Sequence, residues 1–312
     1  MLRWRLLLGT MFIAALVGLC WLDGTGVAGL PPGGWLFPLV VLLSIVASGE
    51  MLWMFATRPA DERPSACLVY FGNLAIVGIN AVPLFCRAGQ TASPVARLGW
   101  PMAAFLVAVL IGFVGEMRRY ERPGQSLARL SLAILALVYV GLLLSCAMQL
   151  RILRGGPGDR GNHVGLTAVA SLIAVVKMGD TGAYTVGRLF GRHKMTPLLS
   201  PGKTWEGFVG AVVFAAVAGW LVLRLLPGAI GGPDVALGSV REPLGRWQWL
   251  AYGIIVGIAG LLGDLAESLI KRDSGRKDSS PWMPGFGGLL DLLDSILFAA
   301  PVAWLCWATG LV

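Results

Sequence analysis

The last quarter of the chain contains the stretch that decides the fold. Residues 263–272 read GDLAESLIKR and residues 284–295 read PGFGGLLDLLDS, with a short polar connection between them. Each stretch adjoins an apolar segment long enough to cross a bilayer, which takes roughly 20 residues in a helix. Because a charged group in hydrocarbon costs free energy, an intramembrane carboxylate indicates a functional site by default.

The composition indicates an integral membrane protein. Of the 312 residues, 56% are hydrophobic and 13% are charged, whereas soluble domains carry roughly 25% charged residues. We interpret the net charge of +8 as basic loops that orient membrane helices and attract anionic membrane lipids, and we expect no nucleic-acid partner. The five cysteines have no metal or redox spacing and are interpreted as packing residues.

Apolar stretches predict an all-α polytopic integral membrane protein with about nine transmembrane helices. The predicted spans are 6–22, 35–57, 66–86, 99–117, 126–150, 164–187, 205–226, 247–270 and 286–310. We expect residues 1–312 to form a single membrane domain. Within it, residues 1–160 supply N-terminal helices, and residues 164–312 supply the catalytic helices and cytoplasmic loops.

The distribution of lysine and arginine predicts the orientation. With the N-terminus inside, the inside connections hold fifteen of the 25 basic residues and the outside connections hold eight. This bias favours an N-in, C-out topology. It places the connections 188–204 and 271–285 on the cytoplasmic side, where nucleotides and Mg²⁺ are available. The compact chain favours a bacterial inner membrane.

Two carboxylates stand out in the first five predicted spans. Glu116 adjoins Arg118 and Arg119 at a helix end, which predicts an interfacial ion pair. Glu50 lies deeper in its span, and two interpretations are open. It either lines a polar cavity or accepts hydrogen bonds from a neighbouring helix.

Two polar stretches in the middle of the chain favour a site. Asp180 and Tyr184 share one face of a predicted helix, with Lys177 three residues before Asp180; a helix-packing ion pair is the structural alternative. Residues 199–207 read LSPGKTWEG. They lack the spacing of a P-loop, but exposed backbone N–H groups, a helix start and the lysine charge suit a phosphate. The structural alternative is that Ser200 or Thr204 caps this helix.

Near the C-terminus, two predicted helices offer carboxylates with the same spacing. The first carries polar residues at i, i+3, i+4 and i+7: Asp264, Glu267, Ser268 and Lys271. The last repeats i, i+3 and i+4: Asp291, Asp294 and Ser295. Carboxylates from two helices suit a hard cation such as Mg²⁺, and a basic rim around them suits metal-assisted phosphoryl or nucleotidyl transfer. The ion-binding site of a transporter contains the same types of residue, so a transporter is the alternative interpretation.

These stretches resemble the phosphatidate cytidylyltransferase (CDP-diacylglycerol synthase) family. The matching C-terminal positions are Ser268, Lys271, Arg272, Lys277, Asp278, Pro284, Gly287, Gly288, Asp291 and Asp294. The matching middle positions are Asp180, Ala183, Tyr184, Ser200, Pro201, Lys203, Thr204, Glu206 and Gly207. The match covers about 177–210 and 260–298. It departs from the family pattern at Phe286 and Leu292, where the family has His and Arg.

The resemblance implies a Mg²⁺-dependent nucleotidyltransferase that converts CTP and phosphatidate in the bilayer to CDP-diacylglycerol and pyrophosphate. It implies metal binding by Asp264 and Asp291, and we expect Asp294 to support them and Lys271 to be a further catalytic residue. A second cation is left open. The residues expected to bind substrate are Asp180, Tyr184, Ser200, Lys203, Thr204, Ser268, Arg272, Lys277, Asp278, Gly287 and Gly288.

Other functions stay open at this point. They are another CTP-dependent lipid transferase, a lipid-alcohol kinase, an ion-coupled transporter, and an inactive paralogue suggested by Phe286 and Leu292. The sequence has no visible inverted repeat, which counts against a transporter. Whether the protein forms a homodimer is also open.

Overall fold

The structure, a computed structural model, describes residues 2–25, 29–85, 93–153, 163–231, 245–281 and 287–312. Its helices are α1 (Leu2–Thr25), α2 (Leu36–Phe55), α3 (Ala66–Gly78), α4 (Ala81–Phe85), α5 (Pro94–Arg118), α6 (Gln125–Ala136), α7 (Leu143–Arg151), α8 (His163–Phe190), α9 (Trp205–Gly231), α10 (Gly245–Asp273) and α11 (Leu290–Ala308). A π-helical segment, Leu137–Leu142, joins α6 to α7.

Eight helical stretches in this part of the chain are long and apolar enough to cross a membrane. They are Leu36–Phe55, Ala66–Phe85, Pro94–Arg118, Gln125–Arg151, His163–Phe190, Trp205–Pro227, Trp247–Asp273 and Leu290–Ala308. They correspond to the second to ninth predicted spans, and the first predicted span lies within α1. The predicted fold class, an all-α polytopic integral membrane protein, is therefore confirmed.

The chain divides into two compact units. The first unit comprises Met1–Gln149 and Ile270–Leu293, and the second comprises Leu150–Leu269 and Asp294–Val312. Each unit is built from distant parts of the sequence. The predicted division near residue 160 into N-terminal and catalytic helices stays a prediction.

In the first unit, apolar and polar contacts join the helices. Ile76, Ala108 and Leu137 form a buried cluster where α3, α5 and the π-helical segment meet. Glu116 of α5 forms the predicted ion pair, but with Arg129 of α6, at 2.7 Å, instead of Arg118 or Arg119. The reason is geometric, because residues two apart do not share a helix face and Arg119 lies beyond the end of α5.

In the second unit, a β-hairpin that the sequence did not predict connects α8 to α9. Its antiparallel strands are β1 (Lys194–Thr196) and β2 (Ser200–Thr204). The Gly207 N–H donates to Thr204 Oγ1 at 3.1 Å, so Thr204 caps the start of α9 as one interpretation predicted. The hairpin thereby fixes the Ser-Pro-Gly-Lys-Thr stretch against the end of a membrane helix.

Helices α8 and α9 approach closely because glycines face each other. A Cβ atom added at Gly182 would lie 2.5 Å from the Gly210 carbonyl oxygen, and one added at Gly210 would lie 2.5 Å from Val186 Cβ. Glycine is typical of such close crossings in membranes. The crossing sets the separation between the polar face of α8 and the hairpin.

We predict that Gly210→Ala destabilises the protein, since an added methyl group must displace Val186 or separate the two helices. Overpacking of this kind costs about 1–3 kcal/mol. Gly115→Ala is the matched control, because it also lies inside a membrane helix but nothing is within 4 Å of its added Cβ. Thermal unfolding in detergent should show a lower midpoint for Gly210→Ala only. Equal midpoints for the two variants would contradict the packing argument.

Candidate active site

A cavity of about 420 Å³ in the second unit brings predicted site residues together. It is lined by parts of α8, the hairpin, α9 and α10. Six predicted residues line it: Asp180, Tyr184, Ser200, Lys203, Thr204 and Asp264. The two middle stretches and the start of the C-terminal stretch thus converge on one space.

Lys203 and Asp264 form an ion pair in this cavity. The Lys203 ammonium lies 2.9 Å from Asp264 Oδ2 and donates to the Leu261 carbonyl at 3.4 Å. Strand β2 therefore presents a positive charge directly to the carboxylate of α10. The lysine side chain is 19% exposed, which leaves the ammonium accessible from the cavity.

The polar face of α8 forms another wall of the cavity. Lys177 Nζ lies 3.4 Å from Asp180 Oδ2, so the predicted ion pair exists, and Asp180 nevertheless lines the cavity. The Tyr184 hydroxyl accepts a hydrogen bond from Arg188 Nη1 at 2.7 Å, and the guanidinium lies 5.8 Å from the Tyr184 ring centroid. Arg188, which is not among the predicted site residues, also lines the cavity.

Carboxylates gather around this cavity. Asp294, which is 6% exposed, lies within electrostatic reach of Asp264 and Asp180. Lys177 and Lys203 supply two positive charges to these three negative ones. The donor set, all oxygen with excess negative charge, fits a hard divalent cation chemically. As now oriented, however, no three Asp, Glu, His or Cys side chains in the described part of the chain are positioned to hold a metal ion.

In the first unit, Asp291 is the centre of a second polar cluster. Lys271 Nζ donates to Asp291 Oδ1 at 2.5 Å. Asp291 Oδ2 accepts from the Ser279 N–H at 2.9 Å, the Ser279 hydroxyl at 2.7 Å and the Gly288 N–H at 2.7 Å. Three predicted residues, Lys271, Gly288 and Asp291, are thus brought together. Ser279 was missed, and it has no sequence signal beyond its place after the Lys-Asp motif.

Glu50 of α2 joins this second cluster. Its side chain accepts hydrogen bonds from the N–H groups of Leu289 and Leu290, at 2.8 and 2.7 Å, and from the Ser279 hydroxyl at 3.2 Å. These bonds support the interpretation of Glu50 as an acceptor for a neighbouring helix.

The remaining predicted residues differ in their surroundings. Ser268 is buried in α10, Gly287 is half-buried, and three residues are exposed: Arg272, Lys277 and Asp278. Asp264 and Asp291 belong to different units, so their shared metal binding stays a prediction. Phe286 and Pro284 lie outside the described residues.

Comparison with known proteins identifies relatives along most of the chain. A model described as Cytidylyltransferase family matches residues 4–309. A Mycobacterium bovis protein named Phosphatidate cytidylyltransferase is 36% identical over 289 residues, covering 85% of this chain and 83% of that protein.

Two other relatives match over a shorter region. A Staphylococcus haemolyticus protein named Phosphatidate cytidylyltransferase is 41% identical over 138 residues, covering 44% of this chain and 48% of that protein. The Escherichia coli protein named Uncharacterized protein YnbB is 39% identical over 138 residues, covering 44% of this chain and 41% of that protein. Because the family model matches nearly the whole chain, the protein belongs to the cytidylyltransferase family.

Proposed function

We propose that this protein is a phosphatidate cytidylyltransferase of a bacterial inner membrane. A phosphate oxygen of phosphatidate attacks the α-phosphorus of CTP, and a new phosphorus–oxygen bond forms. The bond from the α-phosphorus to the oxygen that bridges to the β-phosphate breaks, and pyrophosphate leaves with the electron pair. The observation that carries the proposal is the convergence of Asp180, Lys203 and Asp264 on one cavity in a member of this family.

The proposed nucleophile needs no strong base. A phosphate monoester is already anionic at pH 7, so catalysis depends on positioning and on charge stabilisation. The chain has only two histidines. One of them, His193, lies 2.7 Å from Glu206 through its Nδ1 atom, which supports a role in holding the hairpin.

We assign phosphate binding first to Lys203. Its ammonium is a point charge at the wall of the cavity, and Gly202 beside it also lines the cavity. Tyr184 and Arg188 offer a ring, a hydroxyl and a guanidinium at the same cavity, which suits a nucleotide. In the first unit, Lys271 and Lys277 are proposed as further phosphate ligands, following the family motif.

We propose Mg²⁺ as the cofactor, held by Asp264 with Asp294 in support, and metal binding by Asp291, which belongs to the other unit, stays a prediction. When bound, it would neutralise negative charge on the phosphates and on the pyrophosphate leaving group. Asp180 and Asp294 add negative charge near Asp264, which supports cation binding there. A second cation at the same carboxylates stays open.

Contacts in the first unit agree with part of the proposed topology, which places the site on the cytoplasmic side. The topology predicts that the connections around residues 58–65 and 118–125 lie on the same side as the motif-rich loops. Asp61 accepts a hydrogen bond from Gln125 at 2.6 Å, and the Asp61 carbonyl accepts one from Arg129 at 2.8 Å. The two connections therefore meet, as expected if both lie on the same side of the membrane.

We predict that purified protein transfers the α-phosphate label of CTP to lipid. The assay supplies phosphatidate and α-labelled CTP in detergent–lipid micelles, first with Mg²⁺ and then with EDTA. Label should enter the lipid phase only with Mg²⁺, because the cation neutralises the phosphates. A parallel assay with γ-labelled CTP separates nucleotide transfer from a kinase reaction. Folded protein that labels no lipid in either assay would overturn the proposal.

We predict that Lys203→Ala raises the KM for CTP by about 10- to 100-fold. A hydrogen bond to a charged group contributes about 1.5–3 kcal/mol, and each 1.4 kcal/mol is tenfold in affinity. Lys194→Ala is the matched control, since Lys194 lies in the same hairpin but is exposed and does not line the cavity. Steady-state kinetics measures both variants. An unchanged KM for Lys203→Ala would remove this residue from the site.

We predict that Asp264→Asn lowers Mg²⁺-dependent turnover by about 100-fold or more. Metal-ion catalysis contributes several kcal/mol, and 1.36 kcal/mol is tenfold in rate. Asp61→Asn, which changes a hydrogen-bonded carboxylate in a connection of the first unit, is the control. Turnover is measured as a function of Mg²⁺ concentration. Full activity in folded Asp264→Asn would exclude Asp264 as a metal ligand.

A further inference from the structure

We infer that Glu50 is a positioning residue for the reaction. It holds Gly287 and Gly288, here called the glycine turn, and the first turn of α11 in the arrangement in which Asp291 meets Lys271. The catalytic part of this inference rests on the proposed function, whereas its structural part is testable without turnover. No motif of the C-terminal region includes Glu50, which lies 240 residues before Leu290.

The Glu50 carboxylate satisfies the start of α11. The first N–H groups of a helix have no partner within the helix, and the helix dipole places partial positive charge there. Each Glu50 oxygen accepts one such group, Oε1 from Leu289 and Oε2 from Leu290. Because Glu50 is only 4% exposed, water contributes little to replacing these bonds. The Glu50 carboxylate therefore fixes the N-terminal end of α11 through these two hydrogen bonds.

Ser279 connects Glu50 to Asp291. Its hydroxyl lies 3.2 Å from Glu50 Oε2 and 2.7 Å from Asp291 Oδ2, and its backbone N–H donates to the same Asp291 oxygen. A hydroxyl has one hydrogen to donate, so the hydroxyl hydrogen serves one carboxylate at a time while the backbone N–H remains with Asp291. A shift of Glu50 would thus be transmitted to Asp291, and through Asp291 to Lys271.

The glycine turn is built around these oxygens. A Cβ atom added at Gly288 would lie 2.6 Å from both Glu50 carboxylate oxygens and would overlap the Ser279 hydroxyl. Gly287 has a φ of +82°, a conformation that costs glycine little and other residues more. The two glycines therefore allow the backbone to close directly onto Glu50 and Asp291.

Other α2-side contacts hold the segment that carries Ser279. The Arg276 guanidinium lies 3.2 Å from the centroid of the Trp53 ring, and Arg58, just after α2, forms an ion pair with Asp273. These contacts fix the segment, but of these α2-side groups Glu50 is the one that shares a hydrogen-bond partner, the Ser279 hydroxyl, with Asp291. Glu50 therefore does more than hold this segment in place: through Ser279 it positions Asp291.

The test compares Glu50→Gln with Glu116→Gln. Both variants change a carboxylate on a membrane helix of the first unit, but Glu116 pairs with Arg129 and does not contact the turn. Glutamine keeps the shape of glutamate but has one acceptor oxygen, so it leaves one N–H of α11 without its partner. We expect kcat to fall by about 10- to 100-fold, as for other residues that orient ligands. The KM for CTP should change less than in Lys203→Ala, because the phosphate contact proposed for Lys203 is retained.

A second readout is independent of turnover. Hydrogen–deuterium exchange at residues 279 and 288–291 should accelerate in Glu50→Gln and stay at the wild-type rate in Glu116→Gln. If Glu50→Gln does not fold, Ser279→Ala removes only the hydroxyl link and should still lower kcat and accelerate exchange in the same segment.

The outcomes separate this inference from the proposed function. Wild-type protein without cytidylyl transfer contradicts the proposed function, and exchange at the turn then decides whether Glu50 positions it. Active wild type with unchanged kcat and unchanged exchange in Glu50→Gln overturns the inference alone. A loss of kcat matched by Glu116→Gln would also overturn it, because the effect would then be general destabilisation.

Discussion

The structure depends on one constraint, which is that a carboxylate at the edge of hydrocarbon must be paired. Isolated charges there cost several kcal/mol, and five acidic side chains of the membrane helices meet a cation or a helix N-terminus. The pairs are Glu116 with Arg129, Asp180 with Lys177, Asp264 with Lys203, Asp291 with Lys271, and Glu50 with the start of α11. Two of these pairs, Asp180 with Lys177 and Asp264 with Lys203, lie at the candidate cavity of the second unit. The ion pairs that lower the free-energy cost of placing these carboxylates in a bilayer are therefore also part of the candidate active site.

The ion pair between Lys203 and Asp264 affects the chemistry expected at Asp264. A substrate phosphate that binds Lys203 competes with the Asp264 carboxylate for the same ammonium. The carboxylate that loses this partner needs another cation, since an uncompensated charge in a partly buried site is costly. A divalent cation that arrives with the nucleotide phosphates meets that need. This is a physical reason, separate from family membership, to expect metal binding by Asp264.

Hydropathy predicted the helices because each span must satisfy its own backbone in lipid, and helix spacing placed Asp180 and Tyr184 on one face. The β-hairpin was missed because its strands are three and five residues long and one contains Ser-Pro-Gly, residues that strands disfavour. The partner of Glu116 was predicted wrongly because it lies on another helix. The hydrogen bond that Glu50 accepts from the Ser279 hydroxyl could not be predicted for a similar reason, since spacing within a helix carries no information about which other segments it meets.

The helix starts show why side-chain cations, and not helix dipoles, are the expected phosphate ligands. The Gly-Lys-Thr stretch suited a phosphate partly because a helix begins after it, and helix N-termini bind anions. In the structure, Thr204 already accepts the Gly207 N–H, and Glu50 already occupies the start of α11. Both N-termini thus carry oxygen acceptors of the protein itself. Phosphate binding then depends chiefly on a lysine in each unit, Lys203 in the second and Lys271 in the first. Each lysine now pairs with a carboxylate that an incoming anion and cation would replace together.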